Sequence, residues 1–85
     1  MNIIVLMSGD PWLTKSSLEI EGIFSGEIEL KQFLSHLFDK GIISQHGFKR
    51  LAGEYDPLQR QCEIKDGALT VEKYELNPKT SSLSK

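Results

Sequence analysis

The segment from residue 30 to residue 55, LKQFLSHLFDKGIISQHGFKRLAGEY, holds two amphipathic helical patterns separated by a glycine. Apolar side chains recur at helical spacing before the glycine, at Leu30, Phe33, Leu34, Leu37 and Phe38, and after it, at Phe48, Leu51, Ala52 and Tyr55. Gly41 can adopt the left-handed conformation that ends a helix, and Ser44 can cap the next one. The segment therefore predicts a helical hairpin that turns at Gly41.

Strand-like segments precede this hairpin. The short apolar run Ile3–Met7 predicts a strand that is central or covered on both faces. The partly alternating segment Ser16–Ser25 predicts a second strand, antiparallel to the first. Gly22 within it indicates a bulge or a close backbone contact.

The dipeptide Asp66-Gly67 lies between two strand-like runs near the end of the chain. Aspartate followed by glycine is typical of the two-residue type I′ turn that joins the strands of a β-hairpin. Such a turn predicts one shared face for two opposed pairs of side chains, Ile64 with Leu69 and Cys62 with Val71.

These elements predict a small α+β fold, with a three- to four-stranded antiparallel sheet in the order ββααββ and the helical hairpin packed on one side. Residues 1–76 form the single predicted domain. Residues 77–85, NPKTSSLSK, form a predicted flexible polar tail.

The composition narrows the class of protein. The chain has 85 residues, enough for one domain, and its net charge of −2 argues against a general nucleic-acid binder. The first segment lacks the basic region of a signal peptide, and no apolar run approaches the roughly 18 residues of a membrane span. We therefore predict a cytoplasmic protein without a membrane partner.

No pattern of residues indicates catalysis, metal binding or cofactor binding. His36 and His46 lie ten residues apart, which matches no common zinc spacing. Cys62, the single cysteine, excludes an internal disulfide and has the inward position typical of an inert thiol. An enzyme would need one of these histidines close to Cys62 or to an acid in a pocket. We predict no catalytic, metal-binding or cofactor-binding residue, and no enzymatic activity.

Trp12 is the only tryptophan and lies in a loop, directly before Leu13. Tryptophan is enriched at the centres of binding sites, but in a small protein it can also fold back as a lid on the core. The apolar stripe of the second predicted helix, which follows Gly41, is a second candidate contact surface. The candidate partner-contact residues are Trp12, Leu13, Phe48, Lys49 and Arg50.

Three short motifs are spread along the chain: IIVLMSGD near its start, then EIEGIFSGEIEL, and TVEKYELNP near its end. The chain resembles small uncharacterised bacterial domains in which an apolar first strand leads to a "GVFS" strand–helix junction and a "YEL" strand closes the fold. This resemblance implies an antiparallel α+β fold and no known activity.

The middle of the chain is similar to the short C-terminal domain called SHOCT, whose helical hairpin turns on a "GIIT" sequence. The matching residues are Gly41, Ile42, Ile43, Ser44 and Phe48, preceded by Leu30, Leu34 and Leu37. This resemblance implies a role in oligomerisation or interaction.

The favoured function is a non-catalytic protein-interaction or regulatory module that binds a protein partner or a second copy of itself as a homodimer. The alternative is a nucleic-acid-associated regulator. It would use a weakly basic face formed by Lys49, Arg50, Arg60 and Lys65.

Overall fold

The structure, a computed structural model, describes residues 2–75, so the predicted tail at 77–85 lies outside the described residues. Four strands, β1 to β4, and two helices, α1 and α2, confirm the α+β class. Their bounds are β1 Asn2–Gly9, β2 Glu19–Phe24, α1 Glu27–Asp39, α2 Gln45–Leu51, β3 Gln61–Ile64 and β4 Gly67–Glu75. A short 3-10 helix, Lys15–Ser17, lies between β1 and β2, and the predicted element order lacks it.

The strands form one antiparallel sheet in the order β2-β1-β4-β3. β1 is therefore a central strand, as its apolar run predicts, while β2 and β3 are the two edges. None of the described helices is long and apolar enough to span a membrane.

The hydrophobic core contains side chains from both helices and from β1, β3 and β4. Its fully buried members are Leu6, Leu30, Leu34 and Leu51. The four residues that were predicted to share a face, Cys62, Ile64, Leu69 and Val71, all lie in this core or against it. Phe38, predicted on the apolar stripe of α1, is instead partly exposed.

The turn at Gly41 is confirmed. Gly41 has φ +78°, its N–H donates to the carbonyl of Phe38 at 2.9 Å, and the N–H of Ile42 donates to that of Leu37 at 3.0 Å. These two bonds form a Schellman motif, which satisfies carbonyls that the end of α1 leaves unpaired. Ser44 then caps α2, its hydroxyl accepting from the N–H of Gly47 at 3.1 Å.

The second helix ends earlier than its apolar stripe predicts. Gly53 has φ +81°, and the N–H of Glu54 donates to the carbonyl of Lys49 at 3.0 Å, so a second Schellman motif closes α2 after Leu51. Tyr55 therefore lies outside the helix and is exposed.

The predicted hairpin register was wrong by two residues. Ile64 pairs with Gly67 and Cys62 with Leu69, so Lys65 and Asp66 form the turn, and neither has the positive φ of a type I′ turn. Gly67 has a different role, because a Cβ atom there would overlap the carbonyl oxygen of Gly9. A shift of two residues leaves every side chain on its predicted face.

A bulge interrupts the pairing of β2 with β1. Leu6 faces Gly22 but the next residue of β1, Met7, faces Ile20, which leaves Glu21 as the extra residue. Ile23 lies on the side of the sheet opposite Phe24, which packs against the core, and the bulge places Ile20 on the same side as Ile23. We call this side the open face. Its apolar residues are Ile3, Val5, Met7, Ile20, Ile23 and Tyr74.

Candidate functional site

Trp12 lies at the tip of the loop between β1 and the 3-10 helix, and its side chain is 83% exposed. The possibility that Trp12 folds back as a lid on the core is therefore wrong. A ring exposed to this degree contributes no burial to the core, so its apolar surface is available to a partner.

The loop that carries Trp12 is held by Asp10. The carboxylate of Asp10 accepts hydrogen bonds from the N–H of Trp12 at 3.1 Å, from the N–H of Thr14 at 3.0 Å and from the Thr14 hydroxyl. The Thr14 hydroxyl above all lowers the pKa of Asp10. The N–H of Leu13 donates to the Asp10 carbonyl at 2.8 Å. The loop is thus ordered by its own hydrogen bonds.

Leu13 has φ +54°, the one positive value among the described residues other than glycine. A bulky side chain in this region of the backbone is strained by about 1–2 kcal/mol. Residues held in such conformations cluster at functional sites. Leu13 lies between two cavities and lines both: a cleft beside α2 and β3, and a smaller hollow on the open face.

The cleft has a volume of about 380 Å³ and lies between the Trp12 loop, α2 and β3. Pro11, Leu13 and Ala68 contribute apolar surface to it. Its polar lining comes from Ser44, which caps α2, from His46 and Arg50 of α2, and from Gln61 and Glu63 of β3. A cleft with an apolar wall and a few polar groups can bind one side chain or chain end of a partner.

Arg50 is fixed in position at this cleft. Its Nε donates to the backbone carbonyl of Gln61 at 2.8 Å. Within residues 2–75, the two Nη groups of Arg50 make no hydrogen bond. A guanidinium anchored through Nε with both Nη groups available is prepared to bind a carboxylate.

Cys62 also lines the cleft, but its thiol is buried against α2. A Cβ atom on Gly47 would lie 3.3 Å from the Cys62 sulfur, so the glycine lets α2 approach β3 closely. Burial raises the pKa of Cys62 to about 11, against a smaller opposing effect of the Arg50 charge. The thiol therefore stays protonated at neutral pH.

The structure places some of the predicted contact residues at or beside the cleft and the others away from it. Leu13 and Arg50 line the cleft, and Trp12 lies between two residues that line it. Phe48 packs against the hydrophobic core, and neither it nor Lys49 is among the residues that line the cleft.

Arg60 does not belong to an exposed basic face, because it is only 7% exposed. Its Nε donates to the carbonyl of Leu51 at 2.9 Å, and its two Nη groups donate to the carboxylate of Glu27 at 3.1 and 2.9 Å. The hydrogen bond from Arg60 is the main reason that the pKa of Glu27 is lowered. Arg60 therefore connects Leu51, at the end of α2, to Glu27, at the start of α1.

The two histidines pack beside aromatic rings. The centroid of His36 lies 6.4 Å from that of Phe33, and the centroid of His46 lies 5.0 Å from that of Tyr55. In the part of the chain from 2 to 75, no group of three His, Cys, Asp or Glu side chains is arranged to hold a metal ion.

Comparison with known protein families, with curated proteins and with solved structures finds no match to this chain. The resemblances to SHOCT and to the small bacterial domains therefore stay predictions, as does the cytoplasmic location.

Proposed function

We propose that this protein is a non-catalytic protein-interaction module whose contact element is the loop from 10 to 14. The observation that carries the proposal is an 83% exposed tryptophan on a loop ordered by the Asp10 carboxylate. Large aromatic side chains supply much of the binding energy in protein interfaces. A loop that is already ordered loses little conformational entropy when it binds.

The cleft beside the loop supports the same function. Leu13 and Ala68 offer an apolar surface beside the loop that carries Trp12, and Arg50 offers a fixed positive charge. An interface of this kind combines an aromatic anchor with a pocket and a polar rim. The SHOCT-type resemblance of the helical hairpin agrees with a role in contacts.

The test is a comparison of proteins captured from an extract of the source cells by immobilised wild type, Trp12→Ala and Leu58→Ala. Leu58 is the matched control, because it is 91% exposed on another loop whose backbone is held by an aspartate, Asp56. We expect a set of proteins that wild type and Leu58→Ala retain equally and that Trp12→Ala loses. Equal retention by all three proteins would contradict the proposal.

Self-association through the open face is a second candidate. We propose that the helical hairpin covers one side of the sheet and that the open face, with Ile23 59% exposed on edge strand β2, binds a second copy. Light scattering after size exclusion should then show a dimer that Ile23→Lys dissociates. Ile28→Lys, at a residue of α1 that is 73% exposed, should leave the dimer intact. A wild-type monomer at high micromolar concentration would contradict this candidate.

A further inference from the structure

The free edge of β3 forms part of the cleft. In an antiparallel pair, hydrogen-bonded and non-hydrogen-bonded residue pairs alternate. The N–H of Val71 donates to the carbonyl of Arg60 at 2.9 Å, so the next residue, Gln61, directs its backbone groups away from β4. The hydrogen bond from Arg50 to the Gln61 carbonyl agrees with this. By the same alternation, the N–H and carbonyl of Glu63 also point to the free edge.

Arg50 limits what can bind along this edge. The hydrogen bond from the Arg50 side chain already uses the Gln61 carbonyl. A strand added to β3 could therefore pair with Glu63 but could not continue past Gln61. An added chain that runs toward Gln61 therefore meets the guanidinium at the point where pairing stops. A chain that ends there presents its terminal carboxylate to the Nη groups of Arg50.

We propose that the cleft binds the C-terminal carboxylate of an extended segment of a partner protein, with the guanidinium of Arg50 as the carboxylate-binding group. The proposal rests on the proposed function, because it assigns a chemical class to the partner at the same cleft. The apolar wall of Pro11, Leu13 and Ala68 receives the last side chain of that segment.

The remaining charge in the cleft selects against more acidic partners. Glu63 also lines the cleft and opposes part of the Arg50 charge, so the cleft has one positive group for one carboxylate and disfavours a second acidic group beside it. The favoured ligand is therefore a chain end with one carboxylate and an apolar last residue. An internal acidic side chain is a different ligand, because its main chain would have to pass Arg50.

The test uses three N-acetylated peptides and ¹⁵N-labelled full-length protein in NMR titrations up to millimolar concentration. The first is acetyl-Thr-Val-Thr-Val with a free carboxylate, the second is its C-terminal amide, and the third is an amide with an internal glutamate. We expect the free acid to shift the Arg50 Nε–H and the Glu63 amide signals and to bind at least about tenfold more tightly than both amides.

Arg50→Gln should remove this preference for the free acid, whereas Lys49→Gln, which loses the same charge on the same helix, should keep it. Equal binding of acid and amide, an unchanged preference in Arg50→Gln, or no binding of any peptide would overturn the proposal.

Trp12→Ala separates the proposed contact role of the loop from the proposed carboxylate site. If it loses affinity for acid and amide alike, the loop is a contact element whatever the outcome at Arg50. If only the Arg50 effect is seen, the carboxylate site stands and the role of Trp12 fails.

Discussion

Arg60 makes two hydrogen bonds to the carboxylate of Glu27, a residue 33 positions earlier in the chain, at 2.9 and 3.1 Å. Glu27 is the first residue of α1, and Arg60 immediately precedes β3. Because the Nε of Arg60 also bonds the carbonyl of Leu51, one buried side chain joins the start of α1 to the end of α2. Arg60 is therefore a structural connection between the two helices.

Arg60→Met should destabilise the fold by about 2–3 kcal/mol. The substitution leaves the buried Leu51 carbonyl without its donor. Glu27 loses Arg60 but keeps Lys73, whose Nζ lies 3.2 Å from its carboxylate, and water can compensate in part because Glu27 is partly exposed. Urea unfolding measures the difference. Lys65→Met, at an exposed residue of the β3–β4 turn, is the control and should change the free energy of unfolding by less than about 0.5 kcal/mol. Equal effects of the two substitutions would show that the Arg60 contacts contribute little.

The same ion pair predicts a pH dependence of stability. Hydrogen bonds from Arg60 lower the pKa of Glu27 in the folded protein below its value in the unfolded chain. The stabilisation is therefore complete above the unfolded-state pKa and is lost as the pH falls through the lowered folded-state pKa. Urea unfolding at a series of acidic pH values should show a weaker dependence in Glu27→Gln than in wild type. Glu54→Gln, at an exposed glutamate, should keep the wild-type dependence.

Gly67 and Gly41 should respond differently to alanine. Gly67→Ala places a methyl group on the backbone oxygen of Gly9, where no side chain can move aside, so we expect a loss well above 2 kcal/mol. Gly41→Ala meets no atom within 4 Å and costs only the left-handed conformation, about 1 kcal/mol. Thermal unfolding of both variants measures this order. A reversed order would contradict the close approach of Gly67 to Gly9.

The Cys62 thiol should react slowly with a disulfide reagent in the folded protein. It is buried and its pKa is raised to about 11, so the reactive thiolate is scarce at pH 8. Absorbance of the released reagent should show a rate that rises steeply through the urea unfolding transition. A native rate equal to that of the unfolded chain would place Cys62 at the surface.

Local signals in the sequence predict the helical hairpin well. Gly41 and Ser44 act through hydrogen bonds to residues no more than five positions away, so their types alone indicate the turn. Gly53 carries the same signal and ends α2 although the apolar stripe continues to Tyr55. Asp10 two residues before Trp12 is likewise a local turn signal that could have shown an ordered loop.

Contacts between distant segments could not be predicted in the same way. Arg60 resembles any surface arginine in the sequence, and only the fold brings Glu27 and Leu51 to it. The hairpin register failed for a similar reason, because Gly67 is required by its approach to Gly9 in β1. The cleft between the Trp12 loop, α2 and β3 combines three segments, so no single motif indicates it.

Acrylamide quenching of Trp12 fluorescence tests most directly whether the loop is a contact site, since Trp12 is the only tryptophan of this chain. The experiment compares the free protein with its complex with a captured partner in which the tryptophans have been replaced by phenylalanine. In the free protein the 83% exposed ring should be quenched readily. In the complex, quenching should fall several-fold and the emission should move to shorter wavelength. Unchanged quenching and emission in a saturated complex would contradict the role proposed for Trp12.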